Sequence, residues 1–165
     1  MTEDAFWQII EASRKGADGD QDKQEAQLKR ALEPIDLTEI EAFERLFHEQ
    51  LLKAYSWDLW GAAYIINGGC SDDGFEYFRR ALVAAGRDRF EKALNDPESL
   101  AAWAEPDLEF EGIKYVAYDV YKEKSGASLP EGKKKWPTNP SGETWEEDSD
   151  DLETRFPRLW QTFSS

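Results

Sequence analysis

The sequence carries one cysteine, one histidine and one methionine. A lone cysteine excludes an intramolecular disulfide and a cysteine-rich zinc site. Cations are scarce: 20 Lys plus Arg stand against 35 Asp plus Glu, a formal net charge of −15 at pH 7. Free nucleic acid is therefore not expected as a direct partner, because phosphate binding needs clustered cations. Long apolar runs are missing too. The longest, Leu59 to Ile66, falls far short of the ~20 residues a membrane helix requires. Met1-Thr2-Glu3-Asp4 is acidic where a signal peptide is basic, so the expected location is the cytoplasm. No Gly-rich phosphate loop and no internal repeat occurs. What the chain has in quantity is aromatic surface, with 7 Trp, 9 Phe and 6 Tyr among 165 residues. A disordered acidic chain is poor in aromatics, so these residues predict one compact domain spanning the chain.

Helix signals dominate. Thr2 caps a first helix with Glu3 and Asp4 in its first turn, and Met1 with Phe6 forms a hydrophobic staple. A second helix is predicted from Asp20 to Glu33, stopped by Pro34. A third starts at Asp36, with Glu39 closing a capping box, and Leu37, Ile40, Phe43, Phe47, Leu51 and Ala54 recur at helical spacing. Ser56 caps a fourth, about 57–66, that is apolar all round and is therefore predicted to be the central, buried helix. Asn67-Gly68-Gly69 ends it, and Ser71 caps the next helix with Asp72 and Asp73 in its first turn. Shorter helices follow around Asp88–Asn95 and Asp96–Ala104. Asp107 is read as the cap of a longer helix that stops at Ser125-Gly126. With no period-2 run, the expected class is all-α. Residues 125–148, rich in Pro and Gly and carrying Lys133-Lys134-Lys135, read as a surface loop. Residues 149–165 read as a strap whose aromatics cross the helical body.

The stretch Trp57-Asp58-Leu59-Trp60-Gly61-Ala62-Ala63-Tyr64-Ile65-Ile66-Asn67-Gly68-Gly69-Cys70-Ser71-Asp72-Asp73-Gly74-Phe75-Glu76-Tyr77-Phe78-Arg79 is the most distinctive in the chain. It resembles the signature of an uncharacterised bacterial helical family, domain of unknown function 4240. The N-terminal Phe-Trp helix, Leu46-Phe47-His48, Val116-Ala117-Tyr118 with Tyr121, and Pro157-Arg158-Leu159-Trp160 are similar as well. The resemblance implies a small, mostly helical domain and brings no activity, cofactor or catalytic residue with it.

Several residues in and around this stretch carry chemistry that competes with a plain structural role. A helix ending at Asn67-Gly68-Gly69 and meeting a new N-terminus at Ser71 can frame a pocket, with Trp57, Asp58, Trp60, Tyr64, Asn67, Cys70, Asp72, Asp73, Arg79 and His48 as candidate lining. Free amides at that N-terminus favour anions, but Asp72 and Asp73 already supply negative charge there. The same oxygens suit a hard cation, yet they miss the EF-hand spacing: counting from Asn67, the third position is Gly69 and the twelfth Phe78. No metal and no cofactor is assigned. His48 and Cys70 would form a nucleophilic pair if one activated the other, with Glu44 or Asp58 orienting the imidazole; a small buried thiol and a helix histidine paired with Glu44 is the preferred account. Asp58 between Trp57 and Trp60 would suit a general acid or base if desolvated, but a first-turn acid paired with Arg79 explains it more simply. Finally, Glu143 to Glu153 is a dense acidic run around Trp145. Trp145, Glu146, Glu147, Asp148, Asp150 and Asp151 form a candidate interaction surface for a basic protein partner. The preferred functional expectation is a non-catalytic interaction or regulatory module. The alternative is a small-molecule or metal-binding sensor or enzyme with its site between residues 57–64 and 67–73. Oligomeric state is not read from the sequence.

Overall fold

A computed structural model of the chain describes residues 1–132 and 136–164. The Lys133-Lys134-Lys135 cluster lies outside the described residues. The fold is all-α. The described residues form α1 (Glu3–Arg14), α2 (Gln21–Leu32), α3 (Leu37–Lys53), α4 (Trp57–Asn67), α5 (Asp72–Ala84), α6 (Arg87–Asn95), α7 (Tyr115–Ser125), α8 (Asp151–Arg155) and α9 (Pro157–Phe163). Two short 3-10 segments, Pro97–Ala102 and Gly112–Lys114, complete the order, and no strand occurs among the described residues.

The helix starts follow ordinary capping chemistry. Thr2, Asp20, Ser56 and Ser71 each accept a backbone N–H with the side-chain oxygen, satisfying an otherwise orphaned donor. Gly68 ends α4 in the left-handed region at φ 69°, where a side chain would be strained. Two expected caps differ. Asp36 makes no side-chain capping bond, and Glu39, the other half of the expected box, turns to the Met1 amino group at 3.2 Å. Asp107 does not start a helix. It sits at φ 64°, and the chain after it is held extended by bonds from Leu108 N to Asn67 Oδ1 at 3.0 Å and from Phe110 N to the Tyr77 carbonyl at 3.0 Å. Helix begins only after Phe110 is buried, at Gly112.

Phe6, Phe43 and Phe47 meet at 5.0–6.2 Å between ring centroids and join Ile10, Leu28, Leu32, Ile40 and Leu51 in a fully buried centre. Each such side chain contributes about 1.5–3 kcal/mol by leaving water. A matched polar group enters this interior at Gln24, whose Nε2 donates to the Ala84 carbonyl at 2.9 Å and to Ser13 Oγ at 3.2 Å, tying α2 to the end of α5. Helix α4 packs against α5, α9 and the first 3-10 segment, with Leu59, Gly61, Ala62, Ala63, Ile65 and Ile66 buried.

The described part of the 125–148 stretch does more than run over the surface. Leu129 and Pro140 are buried, and Ser141 pairs with the chain between α3 and α4, donating to the Tyr55 carbonyl at 3.1 Å and accepting from Trp57 N at 2.9 Å. The strap then crosses α4 at Gly61. A Cβ there would lie 2.8 Å from Leu152 Cδ2, 3.1 Å from Trp145 Nε1 and 3.2 Å from Phe156 Cε2. The missing side chain of one residue is what admits the strap. Arg155 latches it, donating to Asp58 Oδ1 at 3.2 Å and to the carbonyls of Glu143 and Thr144 at 2.8 Å each.

Candidate functional site

The start of α4 carries Trp57 and Trp60 on successive turns, and the rings lie parallel, 5.4 Å apart at 8°. The arm before α8 brings Trp145 against them, edge-on to Trp57 at 6.1 Å and 89°. Trp145 is buried rather than projecting. Its Nε1 donates to the Trp57 carbonyl at 2.8 Å, while Trp60 Nε1 donates to the Cys70 carbonyl at 3.0 Å. Trp145 is therefore the peg that seats the arm, and the acids that follow it carry the charge. Trp57, Trp60, Cys70 and Trp145 line an open cleft of about 540 Å³ together with Glu146, Glu147, Asp148 and Ser149. The arm keeps its shape through local bonds: Asp151 Oδ2 accepts from Glu146 N at 3.1 Å, and Ser149 Oγ accepts from Asp151 N at 3.1 Å.

The structure thus joins part of each sequence-predicted set and separates the rest. Trp57, Trp60 and Cys70 meet Trp145, Glu146, Glu147 and Asp148 in the cleft, and Tyr64 flanks it, 5.3 Å from Trp145. Asp150 and Asp151 begin α8 beside it. Asn67 is committed elsewhere, accepting from Leu108 N. Asp72 and Asp73 stay exposed in the first turn of α5. Asp58 is 53% exposed along its side chain and pairs with Arg155 at 3.2 Å, not with Arg79. It is not desolvated between the indoles, so the general acid or base role has no environment to support it.

His48 and Arg79 belong to a second cluster. The Arg79 side chain enters the interior between α3 and α5, is 4% exposed, and donates Nη1 to the Leu51 carbonyl at 3.1 Å and Nε to the Phe75 carbonyl at 3.4 Å. The first of these lies in the last turn of α3, where the helix dipole favours a cation. Rings of Phe75, Tyr55 and Trp136 surround the guanidinium at 4.7–4.8 Å. Burial pulls its pKa down to about 10, against the favourable field of Glu76. Trp136 also packs on His48, 4.8 Å between centroids. Glu44, 1% exposed, faces Lys114 and accepts from Tyr118 Oη at 3.0 Å. Burial first, then Glu44, pushes the Tyr118 phenol well above its ordinary range. Cys70 lines the cleft with Trp60, while His48 packs on Trp136. Burial, with Glu109 adding to it, pushes its thiol up to about 12. An activated nucleophile needs the opposite shift.

Tyr55, Trp136, Lys114, Tyr118, Gly61 and Arg155 were not legible as partners in the sequence. Gly61 carried a signal, since an isolated glycine inside an apolar helix usually marks close packing. Among the described residues, no group of three or more His, Cys, Asp or Glu side chains is arranged to hold a metal ion, and no helix is long and apolar enough to cross a membrane.

Residues 1–123 match the family described as Protein of unknown function (DUF4240). The chain belongs to that family. The DUF4240 match includes α1 to α6 and most of α7, so Trp57, Trp60 and Cys70 fall inside it. It ends before the acidic arm and the strap, and the Pro157-Arg158-Leu159-Trp160 likeness lies beyond it. Neither a curated protein nor a solved structure matches the chain.

Proposed function

We propose that the protein is a non-catalytic interaction module that holds a basic protein partner on its acidic arm. The observation that carries this reading is the meeting of Glu146, Glu147 and Asp148 with three tryptophans in one open cleft. Carboxylates alone make a solvated face. Carboxylates beside a large aromatic surface offer both steering and a desolvated contact, the combination that anchors protein interfaces. The overall charge of −15 adds a long-range field that speeds encounter with a cationic partner and weakens as salt screens it. The same field disfavours nucleic acid. A lone thiol suits a reducing compartment, in keeping with a cytoplasmic setting. The small-molecule reading shares the cleft, but two of the residues it relied on, His48 and Arg79, are packed in the other cluster.

The test is affinity capture with the full chain, using native lysate of the cells that make it, at about 50 and 500 mM salt, beside an E146Q/E147Q/D148N variant. The expected result is a basic protein retained at low salt, released at high salt and lost by the variant. Recovery of no salt-sensitive partner, or equal recovery by the variant, overturns the reading.

A further inference from the structure

The two aromatic clusters are one column. Trp57 stacks on Trp60, Trp60 on Phe75 at 4.9 Å and 15°, and Phe75 on Tyr55 at 6.1 Å and 26°. At the inner end a guanidinium, that of Arg79, lies against the rings of Phe75, Tyr55 and Trp136 and donates to backbone carbonyls. At the outer end lies the cleft. Its chemistry is complementary to that of Arg79 rather than to an anion or an apolar group. The indole N–H groups of Trp60 and Trp145 are already used on backbone carbonyls, so these two rings bring no donor, and with Trp60 stacked between Trp57 and Phe75 it is Trp57, the outer member of the column, that offers ring surface. Its polar lining includes the acidic residues Glu146, Glu147 and Asp148 beside Ser149, and no Lys or Arg among the described residues pairs with any of the three acids.

We infer that the cleft is the seat for an arginine side chain presented by the basic partner, an inference that rests on the interaction module proposed above. The occupant must bring a positive charge and several donors, and it must tolerate contact with indole rings. A divalent cation fails, because it needs converging oxygen ligands and the carboxylates here do not converge on a metal position. An ammonium is compact and strongly hydrated. A guanidinium is planar, weakly hydrated, stacks on aromatic faces and presents a fork of donors that fits carboxylates in pairs. A cleft of about 540 Å³ has room for one such side chain and its flanking backbone.

The experiment measures fluorescence anisotropy of labelled eight-residue peptides alternating Gly with Arg, Lys or citrulline, titrated with the full chain at low salt. Citrulline keeps the shape of arginine and removes the charge. The expected order is Arg tightest, Lys at least about 3-fold weaker, and citrulline without measurable binding. An E147Q/D148N variant should weaken the Arg peptide at least about 5-fold, and W57A should do likewise by removing ring surface. A D22N/E33Q variant, which makes the same charge change on α2 and its end, outside the cleft, should change it less than 2-fold. Should W57A fail to fold, the two neutralising variants, both made at exposed positions, still decide the matter. Equal weakening by both overturns the cleft as the seat. Equal affinity for Lys and Arg peptides overturns the guanidinium assignment. Absence of binding by every peptide overturns the seat outright, while the interaction module itself stands or falls on the capture experiment.

Discussion

Replacing Gly61 with alanine adds one methyl group at the crossing of α4 and the strap, and the structure sets two effects against each other. In an exposed helix the change stabilises by about 1 kcal/mol, since alanine loses less backbone entropy than glycine. Here the new Cβ falls 2.8 Å from Leu152 Cδ2, 3.1 Å from Trp145 Nε1 and 3.2 Å from Phe156 Cε2. Leu152 alone could rotate away. Trp145 cannot retreat without stretching its 2.8 Å bond to the Trp57 carbonyl, and Phe156 is buried. Overpacking of this kind costs about 1–3 kcal/mol, and a weakened buried hydrogen bond adds about 1 kcal/mol. The packing loss exceeds the propensity gain, leaving a net destabilisation of about 1–3 kcal/mol. For a domain of this size the thermal midpoint should fall by roughly 3–10 °C. The assay is thermal unfolding followed by circular dichroism, with L152A and the G61A/L152A pair measured alongside. Removing the Leu152 side chain makes room for the methyl group, so the double variant should be more stable than the sum of the singles by at least about 0.5 kcal/mol. A Gly61→Ala protein as stable as the parent, or more so, would refute the close approach of the strap to α4.

Two further outcomes follow from buried ionisable groups. Cys70, with its thiol pushed up to about 12, should react with a thiol reagent at pH 8 roughly 1000-fold more slowly in the native chain than in denaturant, because only the thiolate attacks; a native rate within tenfold of the denatured one contradicts the burial. The sign for stability is that the thiol favours the fold fully below the unfolded thiol's ordinary pKa and that contribution is lost as pH rises towards 12, because the unfolded chain ionises first. Lys114→Met removes a cation facing the 1%-exposed Glu44 side chain and should cost about 3 kcal/mol in urea unfolding, at the low end of such losses because Tyr118 still donates to the carboxylate; a loss below about 0.5 kcal/mol would show that the pair does not support the interior.

The helix starts at Thr2, Asp20, Ser56 and Ser71 were legible because capping is local: the donor and acceptor sit within three residues of each other. Where the local signal misled, a distant group had intervened. Glu39 was drawn to the Met1 amino group, 38 residues away, and the segment after Asp107 was captured by Asn67 and by the Tyr77 carbonyl. In the candidate site the same division holds. Trp57, Trp60 and Cys70 were singled out by their motif, and Trp145 to Asp148 by their charge. That they line one cleft depends on Gly61 admitting the strap and on Arg155 reaching from α8 to Asp58.

By itself the sequence determined the all-α class, the net charge of −15 and the likeness to a helical family. These are properties of composition, of 3.6-residue periodicity and of contacts within one turn, and none requires knowing what lies across the fold. Only the tertiary structure decided which residues share a site. It divided one candidate pocket into an acid-walled tryptophan cleft and a buried guanidinium cluster, and it gave Asp58 to Arg155 in place of Arg79. The physical reason is that aromatic stacking, a latch spanning 97 residues and a missing Cβ act between segments remote in the chain, so their partners are chosen by packing and leave no mark on local spacing.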